Sequence, residues 1–285
     1  MPRFSLIFLL LLQSLPLYGD GFLINVKPER VRIALLHLAP DLGELEHNTK
    51  TIIQAMALAK EHDAQWVLTP ELTLTGYKFA KEIGVEWITA GPDQYVQQLS
   101  KKADQLNLVL FLSHLEKPEK SDDEVYNTLF VIDREGDIVG RHRKINTIPG
   151  SEAWSTAGDS VNMVAIDGIR TGLLICADAW PKVHAQKLKE QGAELLLSSA
   201  NWPPGEYGPG SSWLDRSVET GLPVFINNRT GAEGDFDMSK GESAVVIGGE
   251  KQIRFSGPLP VVVLFDWLPN LNKVTNEAII SLDLK

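Results

Sequence analysis

Cysteine is almost missing from this chain: one residue, Cys176, occurs in 285, so no internal disulfide can form. A cationic excess is missing too. Lys and Arg total 27 against 37 Asp and Glu, a formal charge of -10, and a surface of that sign repels a phosphate backbone. Nucleic acid is therefore not an expected partner. No HExxH, no CxxC and no histidine set with ligand spacing is present, so neither a metal nor another cofactor is expected. Between residues 30 and 285 there is no low-complexity linker and no repeat of fixed period, which makes one domain over 30–285 the economical reading.

Long apolar runs are scarce as well. The longest, 6–12, sits behind Arg3 and ahead of Pro16 and Gly19, the order of an export signal. It is shorter than the roughly 20 apolar residues that cross a bilayer. Residues 1–19 are read as a cleavable signal peptide, which predicts a periplasmic or secreted protein with no stable membrane span. An uncleaved anchor and a buried N-terminal strand are the competing readings. A lone thiol is a liability in an oxidising compartment unless it is buried or has a task.

What is present is alternation. Apolar runs at 31–38, 66–69 and 108–113 read as strands, with helical spacing over 48–62 and 92–106. Runs at 125–132 and 138–144 flank Glu135-Gly136-Asp137, a hairpin signal. The pattern resumes with strands at 171–176, 194–199 and 223–227, separated by helices near 181–191 and 211–220. Strands at 243–247, 252–255, 261–265 and 278–282 follow. An α/β layered domain is predicted, with antiparallel pairing beside helix-covered strands. The loop 202–210 holds three prolines and three glycines, which suits a rigid segment bordering a pocket.

Three polar residues end apolar strands, where layered α/β folds place reacting groups: Glu71 after WVLTP, Lys144 after IVGRHR and Cys176 after TGLLI. Each also has an ordinary reading, as a loop carboxylate, a solvated lysine and a small buried hydrophobe. Together they are chemically complementary. A thiol attacks only as thiolate; a carboxylate can take its proton, and an ammonium can stabilise an oxyanion. None of the six histidines lies in a Cys/His signature, and His184 is expected on the solvent face of the 181–191 helix.

The surrounding blocks carry a resemblance. LTPELTLTGY, GRHRKINTIPGSE, GLLICADAW, GAELLLSSANW and DRSVETGLPVFINN occur in this order, and the chain resembles the nitrilase, or carbon-nitrogen hydrolase, superfamily over about residues 30–285. That resemblance implies a four-layer α-β-β-α sandwich, usually paired through a helical face into a homodimer or higher homo-oligomer. It implies Glu71 as general base, Lys144 as the triad lysine and Cys176 as nucleophile. It also places Glu152 at a second glutamate that positions substrate and lysine, with Asn201 and Trp202 closing the strand after the nucleophile helix. The Ala177 N–H becomes the expected oxyanion donor.

Two positions depart from many relatives. Ala177 stands where an aromatic residue is common, and Trp180 stands where an arginine is common. The second removes a partner for a substrate carboxylate, so a neutral or apolar acyl group is expected. Asp178 and Trp202 are candidates for the pocket wall, with a structural role as the alternative. The implied reaction is hydrolysis of a small amide through a thioester, releasing ammonia or an amine. The alternatives are a nitrilase acting on a nitrile, acyl transfer to an amine or lipid, and a catalytically silent binding protein on the same scaffold.

Overall fold

A computed structural model describes residues 27–120 and 123–283; the expected export segment, 1–19, lies outside them. The chain opens with strand β1 (Val31–His37), helix α1 (Leu45–Glu61), β2 (Trp66–Leu68), the short α2 (Phe79–Ile83), α3 (Gln94–Leu106) and β3 (Val109–Glu116). The hairpin β4 (Tyr126–Ile132) and β5 (Ile138–Arg143) follows. Next come β6 (Asn162–Ile166), β7 (Ile169–Ile175), a 3-10 turn over Cys176–Ala179, α4 (Lys182–Glu190), β8 (Leu195–Ser199), α5 (Ser212–Thr220) and β9 (Val224–Asn227). The remainder is the small pair β10 (Ala232–Glu233) and β11 (Phe236–Asp237), then β12 (Glu242–Ile247), β13 (Glu250–Ser256), β14 (Val261–Leu268) and β15 (Lys273–Ser281).

These strands form a seven-stranded sheet, in order β15-β14-β1-β2-β3-β4-β5, and a six-stranded sheet, in order β13-β12-β9-β8-β7-β6. At the centre of each, three neighbours run parallel, β1-β2-β3 and β7-β8-β9, and the flanking pairs are antiparallel.

Strand alternation sorts the layers. Val31, Ile33 and Leu35 belong to the core that includes Leu173, Leu197 and Phe225 of the other sheet, whereas Ala34 and Leu36 join Ile52, Met56, Val96 and Leu99 of α1 and α3. Phe225 and Phe265 meet edge to face at 5.3 Å between the sheets, a geometry favoured by the ring quadrupole. Helices α4 and α5 cover the second sheet through Ala185, Leu188 and Trp213. The result is the expected four-layer α-β-β-α sandwich.

Several elements depart from the pattern reading. Helix α1 begins at Leu45 and β15 at Lys273, both earlier than expected, and α2 and β6 were not anticipated. Helix α3 starts where Asp93 accepts the Tyr95 and Val96 N–H groups at 2.9 Å, a side-chain cap of the usual kind. His184 is the clear correction. It is buried, and its Nδ1 lies 3.0 Å from the Asp178 carbonyl, because α4 turns that face onto the 3-10 turn rather than to solvent. Among the described residues no helix is long and apolar enough to cross a membrane.

Candidate active site

Glu71 leaves the end of β2 and is fully buried. Its Oε1 accepts from Lys144 Nζ at 2.7 Å and Asn127 Nδ2 at 2.8 Å, and its Oε2 accepts the Asn201 backbone N–H at 2.9 Å. The Glu71 carbonyl also accepts from the Asn201 side chain. Lys144 follows β5 and is held on both sides of its Cα, through its N–H to the Asn127 carbonyl and its carbonyl to the Gly158 N–H, both at 2.8 Å. Its ammonium donates to Glu152 Oε1 as well, at 2.7 Å. Glu152 in turn accepts from Asn127 Nδ2 at 3.0 Å and from the Ile148 N–H at 2.6 Å.

Cys176 stands on the turn after β7 with φ of 47°. This left-handed conformation costs a residue with a side chain about 1–2 kcal/mol, and such strain concentrates at functional sites. The turn is secured by Asp178, whose carboxylate accepts the Ile175 N–H at 3.1 Å, the Ile145 N–H at 3.0 Å, the Asn146 N–H at 2.8 Å and His142 Nε2 at 2.9 Å. One buried carboxylate thereby ties the residues after Lys144 to the residue before Cys176.

The charges in this cluster act on one another. Burial pushes the Cys176 thiol well above its ordinary value, the Glu71 charge adds to that, and Lys144 opposes it without prevailing. Burial pulls Lys144 down, but Glu71, Cys176 and Glu152 outweigh it and keep the ammonium firmly protonated. Glu152 is raised, first by burial and then by Glu71, against the pull of Lys144. Burial and charge thus favour a neutral Cys176 thiol and a protonated Lys144 ammonium.

Cys176 lines a cavity of about 330 Å³, whereas Glu71 and Lys144 are fully buried and are not on its wall. Of the residues expected to position substrate, Ala177, Trp180, Asn201 and Trp202 line this cavity. Glu152 does not; it is buried against Lys144. Asp178 is likewise off the wall, its carboxylate taken up by backbone N–H groups and His142. Trp180 stacks edge to face on Trp202 at 5.7 Å, and Tyr207 of the 202–210 loop closes the rim.

Pattern reading missed Asn127, a fully buried amide inside the apolar strand YNTLFVI, where a polar side chain among hydrophobes was the available signal. It also missed Tyr77, Lys78 and Phe236. Tyr77 lies in the quoted LTPELTLTGY block and stacks on Phe236 at 5.3 Å. Glu233, ion-paired to buried Arg229, accepts the Tyr77 N–H at 3.0 Å and the Lys78 N–H at 2.9 Å. A Cβ at Gly76, where φ is +75°, would lie 2.7 Å from Glu233 Oε1, so the corner requires glycine. Among the described residues no group of three or more His, Cys, Asp or Glu is arranged to hold a metal.

The carbon-nitrogen hydrolase family profile matches residues 32–249. A glutamine-dependent NAD(+) synthetase of Thermotoga maritima is 25% identical over 260 residues, 90% of this chain but 42% of that protein; the chain spans less than half of that relative. A 2-oxoglutaramate amidase of Bacillus subtilis is 28% identical over 221 residues, 75% of this chain and 82% of that protein. Among solved structures, a variant of the amidase from Nesterenkonia sp. AN1, with the acetamide moiety of fluoroacetamide added covalently at its active-site cysteine, is similar at a TM-score of 0.75. The two are 25% identical, and the match covers 84% of this chain and 91% of that one. By profile and by fold, the chain belongs to the carbon-nitrogen hydrolase family.

Proposed function

We propose that the protein is an amidase-type thiol hydrolase that cleaves the carbon-nitrogen bond of a small primary amide. Glu71, Lys144 and Cys176 are its catalytic residues in this reading. The observation that carries it is the Lys144 ammonium, fully buried, 2.7 Å from both Glu71 and Glu152 and in electrostatic reach of Cys176, a strained residue on a cavity wall. A lysine so desolvated stands ready for a developing negative charge. The Nesterenkonia amidase, whose active-site cysteine takes a covalent adduct, supports the assignment of Cys176 as nucleophile.

In the reaction, Glu71 takes the thiol proton and Sγ bonds to the amide carbon, whose oxygen becomes an oxyanion facing the Lys144 ammonium and the Ala177 N–H. Collapse expels ammonia, which receives the proton from Glu71 and leaves a thioester. Water then gives a proton to Glu71 and attacks that carbon. The carboxylic acid departs, and Cys176 regains its proton. The apolar faces of Trp180, Trp202 and Ile148 on the wall favour an uncharged group next to the carbonyl.

Ammonia release from graded amides and nitriles, with mass spectrometry for an acyl adduct, tests this. An adduct on Cys176 and loss of turnover in Cys176→Ala are expected; turnover retained in that variant overturns it. Export is proposed on residues 1–19 alone, and N-terminal sequencing of the mature protein checks it. Self-association through a helical face is likewise a proposal, tested by sedimentation.

A further inference from the structure

Two aromatic rings stand in water at the mouth of the cavity. Trp180 and Tyr207 both line it, yet they are 56% and 79% exposed. Neither hangs on a loose segment. The Arg216 guanidinium donates to the carbonyls of Ala179 and Trp180, at 3.1 and 2.7 Å, and the Trp180 ring rests edge to face on Trp202. The Trp202 indole N–H donates to the Tyr207 carbonyl at 3.1 Å, and the Asn228 side chain holds the Trp202 backbone at both its N–H and its carbonyl. Trp202 in turn meets Trp213, a buried ring of α5, at 5.4 Å. This chain of contacts, running out from the core, fixes the Trp180 ring and the backbone that carries Tyr207. Apolar area held in solvent beside a ligand-sized cavity marks a surface that a ligand covers.

We infer that the acyl group of the substrate is an apolar chain longer than the cavity, whose far end leaves through the mouth and lies on Trp180 and Tyr207. The inference rests on the amidase reading and names its acyl class. Volume sets the length. About 330 Å³ is at the lower end of the roughly 300–1,000 Å³ of ligand sites, so a short chain fills it and further methylenes emerge. The wall sets the polarity, because its polar groups are spent on one another. The Tyr77 hydroxyl meets Ser151 Oγ at 3.2 Å, the Trp202 indole N–H is taken by Tyr207, and Lys78, the one charged residue on the wall, pairs with Asp235. A charged or polar tail finds no free partner there and loses its hydration. At the mouth, a methylene exchanges water for a ring face, a gain of about fourfold in binding for each one covered. This energy is realised far from the reacting carbon, in ground state and transition state alike, so it appears in KM.

The test measures kcat/KM for straight-chain primary amides of increasing length, each below the concentration at which it aggregates. The value is expected to climb about fourfold per methylene, through KM, and to go on climbing beyond the short amides. Tyr207→Ala and Trp180→Ala truncate exposed rings, so both variants are expected to fold. In each, the ratio of a long amide to a short one falls about tenfold, as for one or two methylenes returned to water. A value that levels off or drops beyond the short amides overturns the inference, as does a ratio that both variants leave unchanged. A Trp180→Ala protein that changes its state of association and keeps the ratio assigns that ring to a second copy of the chain, and likewise overturns it. Calorimetry on Cys176→Ala reads the same surface without turnover. Binding that tightens with length, carries a negative heat-capacity change and is weakened by Tyr207→Ala supports the tail site even if the amidase reading fails; binding indifferent to length overturns it.

Discussion

His142 and Asp178 meet through a hydrogen bond of 2.9 Å in which neither side chain reaches solvent. His142 belongs to the strand that delivers Lys144, and Asp178 belongs to the turn that carries Cys176. Burial alone pushes the Asp178 carboxyl up; the His142 hydrogen bond and charge, with the Asn146 N–H, outweigh it and hold it below the usual carboxylate range. Replacing Asp178 by alanine strands three backbone N–H groups and one imidazole. Asp178→Ala is expected to lose about 3–5 kcal/mol in denaturant unfolding, with Asp178→Asn falling between it and the unaltered protein. Unchanged unfolding in the alanine variant removes the staple role.

Lys144→Ala is expected to lower kcat by a factor on the order of 10² or more, as for loss of an oxyanion donor. Its two partners, Glu71 and Glu152, are left buried without their cation. Near-normal kinetics in this variant assign the lysine to structure only.

Asn127 donates to Glu71 and to Glu152 from the same nitrogen, so it spaces the two carboxylates. It acts through them and not on substrate. Asn127→Leu is expected to reduce kcat by roughly tenfold to a hundredfold with a smaller change in KM. It should also displace the pH profile of kcat/KM, because Glu152, whose carboxyl burial already raises, loses a donor to its charged form. A loss of stability with an undisplaced pH profile counts against the positioning role.

His37 is fully buried against Ser243 and Phe255. Burial pulls it down from its ordinary 6.5 to about 4, against backbone contacts that favour its charged form. Between those values the unfolded chain binds a proton that the folded chain does not, so stability drains away as pH falls from 6.5 toward 4. The full contribution is on the order of 3 kcal/mol. Unfolding free energies across this window, compared with those of His37→Gln, should show the flatter curve in the variant; parallel curves contradict the assignment.

Some of this was written in local sequence. Glu71, Lys144 and Cys176 each end an apolar run, and period-2 and period-3.6 patterns marked the strands and helices of both sheets, because alternation and helical spacing are local consequences of burying one face. The five-residue α2, little more than one turn, was too short to display a helical period, and β6 was passed over although its residues 163–166 are apolar. His184 was misread for a related reason: the helical pattern indicates that a face exists, while the neighbour that covers it, here the Asp178 carbonyl, comes from a different part of the chain.

The sequence by itself determined the residue chemistry, the layered class of the fold and the family blocks. Only the tertiary structure decided that Asn127 bridges two carboxylates and that Asp178 ties the lysine strand to the cysteine turn. The physical reason is separation along the chain. Glu71, Asn127, Lys144, Glu152 and Cys176 span more than a hundred residues, and a Coulomb energy depends on distances and burial that exist only once two sheets have packed face to face.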